Sequence, residues 1–268
     1  MTVCIACVCG DGKAVVVASD RMITASYPPV EFEHDVPKLE QVGKSCVALS
    51  AGDALAHVDL IRAARQTLDR LNAPAVQKIV EVIRASYSSE RLKVVEQRIL
   101  GVRGWKLAEF YVDLPRTVPP DVFMMVDHSI ATYDYGVELL VAGVDAEGHI
   151  YSVRNPGHTD CFDALGYNAI GSGALHALST FITNNCSASM TINRGAYLVF
   201  EAKRAAEVAP GVGKHMDMAI VTKGNIRVLT DTEINTLDEV YKERTAPHND
   251  TAATSIASLP FEGGQSKS

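Results

Sequence analysis

The chain has 268 residues, 47% of them hydrophobic and 21% charged, a balance that supports a packed core and excludes disorder along its whole length. With Lys+Arg 25 against Asp+Glu 32 the formal charge is -7 and no basic block interrupts it, so a nucleic-acid partner is excluded. No apolar run approaches the ~20 residues that span a bilayer, and the start MTVCIACVCGDGK lacks the basic residues that lead a secretory signal, so no membrane partner and a cytoplasmic location are expected.

Two β-rich runs, 3–9 and 14–19, flank Gly10-Asp11-Gly12-Lys13 and predict an opening hairpin. Alternation on the first run puts Cys7 and Cys9 opposite Cys4, which favours buried strand thiols over a metal knuckle. A Pro-containing loop around Pro28-Pro29 and Pro37 leads to a strand at 45–50. Gly52-Asp53 then offers a cap to a helix marked by Leu55, Val58, Ile61, Leu68 and Leu71. Pro74 suits the first turn of a second helix with Val76, Ile79, Val80, Ile83 and Tyr87 on one face. Glycines and prolines break the pattern from 88 to 135, which reads as a partly helical insertion.

Strands return at 137–145, 149–154 and Tyr167–Ile170. Gly171-Ser172-Gly173 opens a helix with Leu175, Leu178, Phe181 and Ile182 inward, and another runs from Thr191 towards Ala206. Met216–Thr222 and 225–229 close the domain as a hairpin, and 244–268 reads as a flexible tail after a single domain over 1–243. Hairpins rather than βαβ crossovers join the strands, which predicts α+β architecture: two stacked antiparallel sheets with helices outside.

Familiar cofactor motifs are missing. The stretch ending in Gly213-Lys214-His215 has Val208 where a phosphate loop has its leading glycine and His215 where it has its hydroxyl residue, and Gly171-Ser172-Gly173 lacks the leading glycine of a nucleophile elbow. No HExxH helix occurs, and His57 and His215 read as surface pairs. No metal and no cofactor are expected. The remaining chemistry lies at the start: removal of Met1 would leave Thr2 with its hydroxyl beside its own α-amine, a group titrating near ~7.7–8.0, so that nucleophile and base share one residue.

Thr2 leads into the hairpin, whose second strand ends in Asp20-Arg21; Lys38 precedes the next strand; Gly52-Asp53-Ala54 opens a helix; and Gly171-Ser172-Gly173 follows the strand Tyr167–Ile170. This order resembles the proteasome β-subunit branch of the N-terminal nucleophile hydrolases, over 2–87 and 137–229. The resemblance implies a four-layer αββα sandwich, cleavage of peptide or protein substrates at a threonine, and assembly into a homo-oligomeric ring; no unfoldase partner is specified. It also implies roles. Thr2 would attack, Lys38 held by Asp20 would lower the proton affinity of the amine, and Ser172 would orient that amine. Glu207, in the stretch Glu207-Val208-Ala209-Pro210-Gly211, would replace the family's Asp, and a backbone N–H at Leu49, Ser50 or Gly52 would hold the oxyanion. Activation would rest on Met1 removal alone. A ring-forming scaffold without the reaction and an amidase of a small molecule are the rival readings.

Overall fold

The computed structural model describes residues 2–26, 29–34 and 37–245. Its strands are β1 (Cys4–Cys9), β2 (Ala14–Asp20), β3 (Met22–Ser26), β4 (Pro29–Glu33), β5 (Leu39–Gly43), β6 (Cys46–Gly52), β7 (Val137–Val144), β8 (Gly148–Arg154), β9 (His158–Cys161), β10 (Tyr167–Ile170), β11 (Met216–Thr222) and β12 (Asn225–Val228). The α-helices are α1 (Ala56–Leu68), α2 (Val76–Val95), α3 (Leu107–Val112), α4 (Leu114–Thr117), α5 (Pro120–Thr132), α6 (Ala174–Thr183), α7 (Ile192–Ala206) and α8 (Asp231–Thr245).

Three antiparallel sheets result: β10-β1-β2-β11-β12, β5-β6-β7-β8-β9 and the two-stranded β3-β4. Burial of β1 and β2 at every position has its cause in the packing of these sheets. Ala6, Val17 and Ala219 of the first five-stranded sheet share one apolar core with Val47, Leu140 and Ile150 of the second, so the two stand face to face. On its other face the second sheet packs Leu139 and Val141 against Leu60, Ile61, Ile83 and Tyr87 of α1 and α2. The first sheet is covered by α6 and α7. Gly195 of α7 lies so near Cys9 that a Cβ there would stand 2.9 Å from Sγ, and Phe181 of α6 meets Tyr167 at a ring distance of 5.1 Å. Cys7 and Cys9 thus face the helices while Cys4 enters the inter-sheet core, as alternation requires.

Asp53 caps α1 as expected, accepting from the N–H groups of Leu55 (2.8 Å) and Ala56 (3.0 Å). The buried stripe of α1 is Leu60, Ile61, Ala64 and Leu68, however, with Leu55 and Val58 exposed and Leu71 beyond the helix end. On α6, Ala177 and Phe181 are buried while Leu175 and Ile182 face solvent. His57 is buried rather than on the surface.

The region read as an insertion begins as a continuation of α2, passes through a π-turn (Glu96–Leu100) and a 3-10 turn (Gly101–Arg103), and ends in α3 to α5. Val95, Leu100, Phe110, Val126 and Ile130 form a core of its own, with Phe110 stacked on Phe123 at 4.8 Å. Buried Arg91 ties it back, donating to the carbonyls of Ile130 (2.8 Å) and Tyr133 (2.9 Å) and to Asn155 Oδ1 (3.1 Å).

Residues 2–229 belong to one compact unit. A second unit, beginning at Thr230, contains α8. Of the span read as a tail, 246–268 lies outside the described residues, as do 27–28 and 35–36 of the Pro-containing loop.

Candidate active site

Pairing register gathers the site. Cys4 stands opposite Ser19 on β2 and opposite Ile170 on β10, so residues just before β1 must lie beside the end of β2 and the turn that follows β10. Thr2 is there, 2% exposed. Its Oγ1 donates to Asp20 Oδ1, and the same oxygen accepts from Lys38 Nζ, which also donates to Asp20 Oδ1 at 2.9 Å. Lys38 arrives from the other sheet: its carbonyl accepts from Ser50 N–H at 3.0 Å, which fixes its backbone at the head of β5.

Asp20 is fully buried, and its charge is met on every side. Besides Thr2 and Lys38 it accepts from the backbone N–H groups of Val3, Met22 and Gly213, each at 3.0 Å. Arg21, its neighbour in the motif, points elsewhere. Its Nη2 pairs with Asp217 Oδ1 at 2.6 Å and ties β2 to β11.

Ser172 Oγ accepts from Thr2 N at 3.2 Å, and its own proton can reach Thr2 O or Pro210 O, each at 3.3 Å. The glycine before it permits this contact. Gly171 has φ +89, and a Cβ there would stand 2.4 Å from Thr2 O.

Of the expected oxyanion positions, Ser50 and Gly52 separate. The Ser50 N–H is already used by Lys38 O, so Ser50 is not a donor to the cleft. Antiparallel pairing turns every second N–H to the same edge, which aims the Gly52 N–H along the edge that carries Lys38, one step further out. Gly52 has φ +101 and abuts Gly136 O, where a Cβ would come within 2.0 Å. Glu207 does not reach the amine. It ends α7 one turn after Lys203, whose fully buried ammonium takes Oε1 at 2.6 Å, and Arg204 takes both oxygens at 3.1 Å. Among the described residues no hydrogen bond joins Glu207 to Thr2 or Ser172; Pro210, in the same stretch, supplies a carbonyl to Ser172 instead.

A cleft of about 470 Å³ opens on Thr2, lined also by Ala51, Gly52, Glu138, Arg154, Gly171 and Ser172. Burial pushes the Glu138 carboxyl up, opposed by the Gly171 N–H and by Arg154. The sequence reading missed Glu138, although a charge opening the run Leu139-Leu140-Val141-Ala142 was a visible signal. It also missed Gly213, whose N–H serves Asp20 from within the stretch that fails as a phosphate loop. Among the described residues no group of His, Cys, Asp and Glu is arranged to hold a metal ion, and no helix is long and apolar enough to cross a membrane. No protein-family model and no curated protein matches the chain.

Proposed function

We propose that the protein is an N-terminal threonine hydrolase of the proteasome β-subunit type, with the four-layer αββα architecture of that class, cleaving peptide or amide bonds in its substrates. The observation that carries this reading is the meeting of Thr2 Oγ1, Asp20 and Lys38 Nζ at the wall of a cleft, drawn from strand ends of two different sheets. A structural ion pair needs no hydroxyl and no cleft.

The chemistry follows from placement. Once Met1 is removed, Thr2 N becomes an α-amine held beside Ser172 Oγ. Thr2 Oγ1 attacks the scissile carbonyl and its proton passes to that amine, directly or through a water. Lys38, paired with Asp20, places its ammonium where a second positive charge is disfavoured and so leaves the amine free to accept. The oxyanion meets the Gly52 N–H, a kind of contact whose loss costs roughly 100–1000-fold in rate. The amine then protonates the leaving nitrogen, and water hydrolyses the ester on Thr2. Exposed Leu175 and Ile182 on α6 support the further reading that copies of the chain assemble with one another in a ring.

Intact mass and turnover test this together. The purified protein should lack Met1 and hydrolyse amide-linked fluorogenic peptides, and Thr2→Ala should lose turnover at an unchanged melting temperature. Undiminished hydrolysis by Thr2→Ala would overturn the mechanism.

A further inference from the structure

On the helix-covered side of the first sheet, Cys7 Sγ lies 3.2 Å from Cys186 Sγ, the latter in the turn between α6 and α7. Cys7 is fully buried, whereas Cys186 is partly open to solvent. We propose that Cys186 is a site of oxidation by hydroperoxides, with Cys7 as the thiol that resolves it into a disulfide between β1 and the α6–α7 turn. The inference uses no residue of the Thr2 site and stands apart from the hydrolase reading.

Three features carry it. The separation is short: a disulfide needs about 2.05 Å, so the sulfurs must close by roughly 1 Å. The two segments are already fastened, since Gly10 N–H donates to Met190 O at 2.6 Å, Cys186 N–H to Phe181 O at 3.0 Å, and Gly195 of α7 presses on Cys9. The two thiols also differ in kind. The hydrogen bond from Cys7 lowers the Cys186 thiol below its ordinary range, while that bond and burial hold the Cys7 thiol up. A thiol open to peroxide beside a buried one that can resolve it is the division of labour that oxidation to a disulfide requires.

The steps balance. Cys186 thiolate attacks one peroxide oxygen, the O–O bond breaks, and the leaving oxygen departs as water or alcohol after taking a proton, giving a sulfenic acid. The Cys7 sulfur then attacks Cys186 sulfur; the S–O bond breaks, the hydroxyl leaves as water with the Cys7 proton, and the S–S bond forms. Two thiols lose two hydrogens and one peroxide is reduced.

The full chain is treated with hydrogen peroxide, quenched, denatured, alkylated and mapped by mass. Cys7 and Cys186 should become refractory to alkylation together, appear as one linked pair of peptides lighter by two hydrogens, and return on addition of dithiothreitol. Because the bond would span 179 residues, the melting temperature should rise by about 5–10 °C on oxidation. Cys9→Ser should keep the bridge, and Cys186→Ser should abolish it and leave Cys7 fully alkylatable. Cys7→Ser should let Cys186 proceed to the sulfinic acid; if that variant fails to fold, the wild-type map decides. A map in which Cys186 is oxidised while Cys7 still takes the label, or in which either pairs with Cys9 or Cys161, overturns the proposal.

Discussion

Among the described residues two lysine–carboxylate pairs have a fully buried partner, and they differ in where the ammonium points. Lys38 and Asp20 meet at 2.9 Å, and Lys203 and Glu207 at 2.6 Å, each with one partner fully buried. Lys203 directs a second donor inward to the carbonyl of Lys214, and burial lowers its pKa despite Glu207. Lys38 directs its own to the hydroxyl of Thr2 at the wall of the cleft. Burying a charge pair is therefore common to both; only the one facing a hydroxyl and a space for substrate is placed for chemistry. The pairs are joined as well, since the segment that Lys203 holds at Lys214 is the one whose Gly213 N–H serves Asp20.

Removing one ammonium at a time breaks this comparison. The largest effect is expected from Lys38→Met, which should lower the kcat of peptide hydrolysis by roughly 100–10,000-fold. Three backbone N–H groups still face Asp20 in that variant, so the fold should survive and circular dichroism should be unchanged. Gly52→Ala comes next, at roughly 100–1000-fold, because a Cβ 2.0 Å from Gly136 O forces the β6 end and its N–H away from the oxyanion. Lys203→Met should do the reverse. It leaves Glu207 partly unpaired and costs about 3–5 kcal/mol of stability in urea unfolding, while turnover per folded molecule stays within a few-fold. Loss of turnover by folded Lys203→Met would erase the distinction between the two pairs.

What the sequence made legible was whatever rests on short range or on strict alternation. The hairpin of β1 and β2, the span of β10, the Asp53 cap and the Thr191 cap of α7 are all local, and the register of β1 then brings Thr2, Asp20 and Ser172 together. Residues placed by tertiary packing were not legible. Leu175 and Ile182 fit an apolar stripe as well as Phe181 does, and nothing in that pattern tells which of the three the packed helix buries. The core around Phe110 takes only one or two buried residues from each of several elements, so no single run shows it as a stripe. Helix α8 was missed for a different reason: none of its residues is buried, so it carries no apolar stripe. Thr230 and Glu233 form a reciprocal capping box, Glu233 N–H to Thr230 Oγ1 at 3.3 Å and Thr230 N–H to Glu233 Oε2 at 2.9 Å, a signal that a search for apolar periodicity passes over. Glu207 was assigned by the resemblance alone, and a motif match cannot foresee that Lys203, one turn earlier, captures it.

A half-exposed pair sharpens the comparison at its weak end. His149 on β8 bridges Asp145, in the turn from β7, at 3.0 Å and Asp163, just after β9, at 2.6 Å. Burial disfavours the imidazolium, but hydrogen bonds to the two carboxylates outweigh it, and the His149 pKa is raised. A group that binds its proton more tightly when folded contributes stability in full below its unfolded pKa of about 6.5 and loses it as pH rises through the higher folded value. The difference in melting temperature between the wild type and His149→Gln should accordingly be largest near about pH 6 and shrink as pH rises towards 9. A difference that stays flat over that interval would assign the stabilisation to neutral His149 packed near Tyr151, at a ring distance of 6.4 Å, and charge would then matter only for the pairs that the fold buries.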